Sequence, residues 1–280
     1  MTGIEGQLGW ELQRSLSVLG DVTALTEAAL DLANADAIVS AMRALRPTLV
    51  VNPAAYTAVD RAESESAKAF LINAKAVQIL AEEAKHCGAR MVHFSTDYVF
   101  DGASSTPYVE SDGTGPKSVY GASKLAGEEA LAGAGVPALC FRTSWVYAAR
   151  GNNFLRTMLR LARAGKPLRV VGDQTGAPTW ARALAEAVTV AISRGAFTTT
   201  SPVYHLSGAG SCTWHGFAKR IFELAKLDVE LHAIATSDYP TPAQRPAFSL
   251  LNSSRAAREL GVELPDWGES LRLVDPESVS

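Results

Sequence analysis

The sequence predicts an α/β fold, a doubly wound parallel sheet with helices on both faces and a smaller C-terminal lobe. Three observations carry this. Short apolar runs alternate with longer amphipathic ones along most of the chain, and strands joined through helices run parallel. A glycine-rich segment, Gly3-x-x-Gly6-x-x-Gly9, leads straight into a helical run. From about residue 205 strand signals thin out, and Pro240, Pro242, Pro246 and Pro265 break the chain.

Taken in order, the apolar runs place strands over 22–25, 48–52, 90–95, 138–143, 168–171 and 203–206. The early ones lack polar alternation, as strands covered on both faces do. Helical periodicity covers 7–19, 35–45, 64–87, 118–132, 154–164, 181–193, 214–224 and 254–260. One element is short. A glycine loop of this kind follows a strand, yet only Met1 and Thr2 precede Gly3. The first, innermost strand is therefore expected to be largely missing, with a cost in ladder bonds and packing. The expected division is a dinucleotide-binding unit over 1–145, rejoined by about 176–204, and a substrate-binding lobe over 146–175 and 205–280.

Composition narrows the function classes. The chain has 280 residues, 47% hydrophobic and 20% charged, with a net charge of -3 and no Lys/Arg run. That argues against nucleic acid and anionic membranes as partners. No apolar stretch reaches the roughly 18–20 residues of a membrane span. There is no secretory pattern of a basic stretch followed by an apolar one. Cys87, Cys140 and Cys212 are scattered, and read as thiols in a reducing, cytoplasmic setting rather than as a disulfide framework or a metal site.

The glycines at the start permit a tight turn and close approach of a pyrophosphate, which the helix N-terminus favours. Gly3 and Gly6 are the candidates. Glu27, after the second strand, is placed to read ribose hydroxyls or is simply a solvated glutamate. Asp31 and Leu32 are candidates for the adenine side. NAD and NADP both remain open. Small residues close the third strand in Val51-Asn52-Pro53-Ala54-Ala55-Tyr56-Thr57, letting backbone approach a cofactor.

The chemistry centres on Tyr120-Gly121-Ala122-Ser123-Lys124. On a helix this spacing puts Tyr and Lys on one face, a turn apart. The Lys ammonium is expected to lower the phenol pKa and to bond the nicotinamide ribose. Upstream, an apolar strand ends in Ser95-Thr96-Asp97, placing hydroxyls in the crevice at the strand ends. Thr96 is read as the partner of a substrate carbonyl and of the Tyr120 hydroxyl. Trp145, just after a strand end, fits the cleft better than the core. Arg245 either meets a diphosphate or holds a proline-rich turn. His205 and His215 read as structural.

These residues resemble the dTDP-4-dehydrorhamnose reductase family of extended short-chain dehydrogenases. The likeness runs through Gly6-Gln7-Leu8-Gly9-Trp10, Asn52–Asp60, Ser95–Gly102, Tyr120–Glu128 and Arg142-Thr143-Ser144-Trp145. It continues through Gly151-Asn152-Asn153-Phe154, Asp173–Thr179 and Tyr239–Pro246. The resemblance implies a two-lobed Rossmann-type reductase using NADPH or NADH, with a dTDP-sugar as substrate. It implies Tyr120, Lys124 and Thr96 as catalytic residues. Gly6, Gln7 and Leu8 would meet the pyrophosphate, and Asp31 and Leu32 would lie by the adenosine. Ala55, Tyr56 and Thr57 would line the cofactor, while Thr96, Asp97 and Trp145 face the sugar. Some members pair as dimers and use Mg²⁺, so monomer or homodimer and an added Mg²⁺ both stay open; no metal ligand set is visible in the sequence. Pro53 stands where the family usually has alanine, and lacks a backbone N–H. Two alternatives share these motifs: a reductase or epimerase of another nucleotide sugar, and a non-catalytic regulatory subunit.

Overall fold

A computed structural model describes residues 1–200, 202–276 and 279. In chain order the strands are β1 (Leu49–Asn52), β2 (Arg90–Thr96), β3 (Ala138–Thr143), β4 (Val146–Tyr147), β5 (Leu168–Val171), β6 (Thr175–Gly176), β7 (Thr179–Trp180), β8 (Val203–His205), β9 (Cys212–Thr213) and β10 (Leu231–Ile234). The main sheet has the spatial order β1-β2-β3-β8 and is parallel throughout. Adjacent strand residues face opposite ways, and each face has its own apolar cover.

On one face Val51, Val92, Phe94, Leu139 and Phe141 pack with α1 (Gln7–Leu16) and α8 (Ala181–Arg194) through Leu12, Leu184 and Val188. On the other, Val50, Met91, Ala138 and Cys140 meet Ile38 and Met42 of α2 (Ala35–Leu45) and Val77 and Leu80 of α5 (Ala76–His86). Between them lie the short α3 (Val59–Ala62) and α4 (Ser66–Phe70). Helix α6 (Val119–Ala134) follows β2, with Ser118 accepting from the Gly121 N–H as its N-cap.

The stub of the first strand lies between 23–25 and β1. The Thr2 N–H donates to the Val51 carbonyl at 3.1 Å, and the Leu25 N–H donates to the Met1 carbonyl at 2.8 Å. The terminal amino group donates to the Thr23 carbonyl at 2.8 Å. Residues 22–25, expected as a strand, run alongside Met1 without forming one. The register of the glycine loop against β1 is nonetheless held.

A single helix over 64–87 is also corrected. It is interrupted by a π-turn at Leu71–Lys75 between α4 and α5. The buried Asn73 explains the extra residue: its amide accepts from the Tyr56 N–H and donates to the Tyr56 carbonyl and the Ser123 hydroxyl. The first helix ends at Leu16 rather than running to residue 19.

The lobe has its own core of Tyr147, Leu155, Leu159, Phe217, Ile221 and Leu271. Around it lie α7 (Phe154–Arg163), α9 (Trp214–Leu224), α11 (Trp267–Val274) and the parallel β5–β10 pair, whereas α10 (Ser254–Leu260) sends Ala256 and Leu260 into the core of the main sheet. Neither α11 nor β10 was expected. The cap of α11 was readable: Asp266 accepts from the Gly268 N–H at 2.8 Å. Among the described residues, no helix is long and apolar enough to cross a membrane.

Candidate active site

The carboxyl ends of β1, β2 and β3 open into one crevice, where a doubly wound sheet binds ligands. At its floor, Gly3 has φ +58° and lies against Ala54. A Cβ on Gly9 would overlap the Gly3 carbonyl, so the loop closes only with glycine there. Gly6 precedes α1 without a side-chain cap, and the first turn holds no acidic residue. The leading N–H groups of α1 are thus left for an anion. Gln7 is bridged to the lobe by the Asn153 amide at 2.8 Å, and Leu8 packs into the core beneath the loop. This cradle fits a dinucleotide pyrophosphate.

The neighbouring residues are placed unevenly. Asp31 is exposed and accepts from the Ala33 N–H. Leu32 is buried with Leu30 and Ile38. Tyr56 has its backbone clamped by Asn73 and its hydroxyl donating to Glu65 at 2.8 Å. Ala55 is half-buried and Thr57 exposed beside it.

Thr96 ends β2. Its hydroxyl donates to Asp97 Oδ1 at 3.0 Å and accepts from the Tyr98 N–H at 3.2 Å. The Tyr120 ring meets Tyr98, two residues past Thr96, edge-on at 5.6 Å. Gly121 makes this approach possible, since a Cβ there would overlap the Tyr98 carbonyl.

Lys124, one turn on, is 2% exposed, with Nζ 3.4 Å from His93 Nε2. Burial lowers its pKa to about 8. The phenol departs from expectation: burial raises the Tyr120 pKa to about 12, with Thr96 opposing and Asp97 adding. Desolvation outweighs any help from Lys124, so the tyrosine carries its proton at neutral pH. Asp97 is 2% exposed, its Oδ2 has no partner, and burial raises its pKa to about 6.

Trp145 forms the lobe side. Its φ is +45°, and its ring stacks on Trp214 at 3.5 Å and 8°. A Cβ on Gly176 would fall 2.6 Å from that ring, so the indole is held from both sides. Arg245 is engaged by Asp60, with nitrogen–oxygen distances of 3.1 and 2.8 Å, and by the Thr241 hydroxyl and the Ala243 carbonyl. That pairing ties the 241–245 turn to α3. Trp214, Asn73 and His93 were missed in the sequence. A Trp opening a helix after Thr213, and the Asn and His near motif residues, were the available signals. Among the described residues, no three His, Cys, Asp or Glu side chains converge to hold a metal ion, and Mg²⁺ finds no support.

The parallel sheet, the glycine loop and the Tyr-x-x-x-Lys helix define a protein of the extended short-chain dehydrogenase/reductase class. A family model described as the RmlD substrate binding domain matches residues 1–277. A dTDP-4-dehydrorhamnose reductase of Burkholderia thailandensis is 49% identical, covering 95% of this chain and 94% of the relative. That of Salmonella typhimurium is 46% identical, covering 95% and 92%. The crystal structure of the Clostridium acetobutylicum reductase superposes with a TM-score of 0.93 at 37% identity, covering 98% and 96%. The Bacillus anthracis reductase in complex with NADP gives 0.92 at 35%, with the same coverage. The chain belongs to the dTDP-4-dehydrorhamnose reductase family.

Proposed function

We propose that the chain reduces the 4-keto group of dTDP-4-dehydro-L-rhamnose to give dTDP-L-rhamnose, with NADPH or NADH as reductant. The observation that carries this is the seating of the Tyr120 ring against Tyr98, in the turn that follows Thr96, on the helix that buries Lys124. Relatives of nearly equal length bear the same activity in their names. NADP is bound by the similar Bacillus anthracis structure.

In this reading 1–145 and about 176–204 hold the dinucleotide, and 146–175 with 205–280 hold the sugar. Gly3, Gly6, Gln7 and Leu8 would hold the pyrophosphate, Asp31 and Leu32 would flank the adenosine, and Ala55, Tyr56 and Thr57 would line the remainder. Bound there, the dinucleotide supplies a hydride to carbon 4. Thr96 polarises the keto oxygen and orients the phenol. Tyr120, protonated at neutral pH, gives its proton to the forming alkoxide. Lys124 stabilises the tyrosinate left behind and holds the ribose. Asp97 and Trp145 bound the sugar. Arg245, already engaged by Asp60, braces the sugar wall instead of meeting the diphosphate.

The test is product analysis. The purified protein should convert dTDP-4-dehydro-L-rhamnose to dTDP-L-rhamnose with equimolar oxidation of the reduced dinucleotide. Tyr120→Phe should keep cofactor affinity and lose ~10²–10⁴-fold in turnover, the usual worth of a general acid. Normal turnover in that variant, or reduction only of a different nucleotide sugar, overturns the reading.

A further inference from the structure

On the lobe side of the crevice, Trp145 carries backbone strain. Its φ is +45°, which crowds the Cβ of an L-residue, and such a residue persists only where its surroundings over-determine it. Among the described residues, the other non-glycine residues with positive φ lie at helix ends. Arg46 and Asp275 cap α2 and α11, and Lys226 follows α9. Left-handed residues are ordinary there. Trp145 instead stands just beyond β3, two residues past Thr143, which pairs in register with Thr96. Its side chain is only partly buried.

Two walls confine the indole, and one ribbon supplies both. Strands β6 and β9 run antiparallel, with Gly176 opposite Cys212 and Thr175 opposite Thr213. Trp214 follows β9 directly and opens α9, where the Thr213 hydroxyl accepts from the Gly216 N–H at 3.1 Å as the N-cap. The Trp214 ring lies parallel to that of Trp145, with centres 3.5 Å apart, so one face of the Trp145 indole is covered. Trp214 is anchored in turn by Phe154, at 4.7 Å between ring centres, and by Phe217, at 6.5 Å. Phe217 is fully buried in the lobe core. On β6, a Cβ at Gly176 would fall 2.6–2.9 Å from Cε2, Cζ2 and Nε1 of Trp145. The backbone is tied as well, since the Trp145 carbonyl accepts from the Thr179 N–H at 3.2 Å.

We propose that Trp214 is a positioning residue for Trp145, holding its indole, together with the space left at Gly176, as a pre-set wall for the sugar ring. This rests on the reductase reading and on Trp145 facing the sugar, and it names the partners that fix the wall. The physical gain is pre-organisation. An unsupported indole would have to be ordered each time sugar binds, and an indole already stacked on the lobe core avoids that cost. The face covered by Trp214 is closed to ligand, so the sugar meets Trp145 from the remaining side.

The experiment reads both the stack and its consequence. The chain has five tryptophans, so a ¹⁵N-indole spectrum can follow Trp145, assigned by the signal lost in Trp145→Phe. Trp214→Leu keeps an apolar side chain but removes the stacked ring. It should shift the Trp145 signal and raise the sugar KM up to about tenfold, the upper worth of an aromatic pair, with the NADPH dissociation constant unchanged. Trp214→Phe retains a ring on that face and should restore most of the KM. Gly176→Ala crowds the indole from β6 without altering Trp214, and should raise the sugar KM in the same way; it decides the matter if the leucine variant does not fold. A lowered melting temperature with unchanged sugar KM, in either folded variant, means that Trp214 merely fills the lobe core and overturns the proposal. So does a phenylalanine variant no better than the leucine one. Absence of reduction by the unaltered protein would overturn the function instead, and the indole spectrum would still show whether Trp214 holds Trp145.

Discussion

Burial acts on the two acids of the crevice with different consequences. For Tyr120, a pKa of about 12 keeps the proton that a reductase must deliver. For Asp97, a pKa of about 6 against an ordinary 3.8 means that a desolvated carboxylate is carried at neutral pH, with Oδ2 unpartnered. This is the reverse of the usual carboxylate case. Between those two pH values the folded state binds a proton that the unfolded state lacks. The stability this gives is present at low pH and is lost as pH rises through about 6. Asp97→Asn removes the charge without changing the shape. It should stabilise the fold at pH 7.5 by up to about 3 kcal/mol, at ~1.4 kcal/mol per pKa unit, and so raise the melting temperature. The gain should shrink as pH falls toward 4, while sugar reduction is impaired. Melting curves of both proteins across that range check it; a gap that widens on acidification would mean that Asp97 is stabilised as the anion.

The close approach of α6 to the Thr96 turn depends on a helical glycine. Gly→Ala in a helix interior ordinarily stabilises by about 1 kcal/mol. At Gly121 the added methyl would overlap the Tyr98 carbonyl, so the sign should reverse. Gly121→Ala should cost about 1–3 kcal/mol, the usual range for overpacking, and should lower kcat by displacing Tyr120 from Thr96. A variant with raised melting temperature and full turnover would show that the helix can shift freely. The sequence made this helix and its Tyr–Lys face legible, because local periodicity decides them. It did not disclose the π-turn at Leu71–Lys75, which follows from Asn73 bonding Tyr56 and Ser123 far along the chain. Nor did it disclose the Trp145–Trp214 stack, since neither residue's neighbourhood names the other. The strand over 22–25 failed for a related reason: a ladder belongs to two segments, and an apolar run names only one of them.

Across the whole molecule, one buried ionic cluster joins the sheet to the segments that wall the crevice. Arg142 on β3 forms a two-pronged pair with Glu128 on α6, at 2.9 and 2.6 Å, with both side chains 5% exposed. Its guanidinium lies 5.0 Å from the Phe100 ring centre and 3.4 Å from His205 Nε2 on β8. Burial holds the His205 pKa at about 3, so that ring is neutral, and Nδ1 lies 3.0 Å from the Tyr108 carbonyl. Nδ1 can then donate to this carbonyl while Nε2 accepts from Arg142. Tyr108 in turn bridges Leu251, reaching the C-terminal part of the chain. Removing one charge from such a site leaves the other buried and uncompensated, whereas replacing both by apolar groups removes the desolvation cost as well. Glu128→Gln should therefore destabilise by about 3–5 kcal/mol, and Glu128→Leu combined with Arg142→Met should recover most of that loss. Urea titrations with unchanged m-values give the comparison. If the double variant is as unstable as the single one, the cluster acts through the Arg142 contact with the Phe100 ring and its hydrogen bond to His205 more than through its charge, and the attachment of the crevice wall depends on geometry that apolar side chains cannot replace.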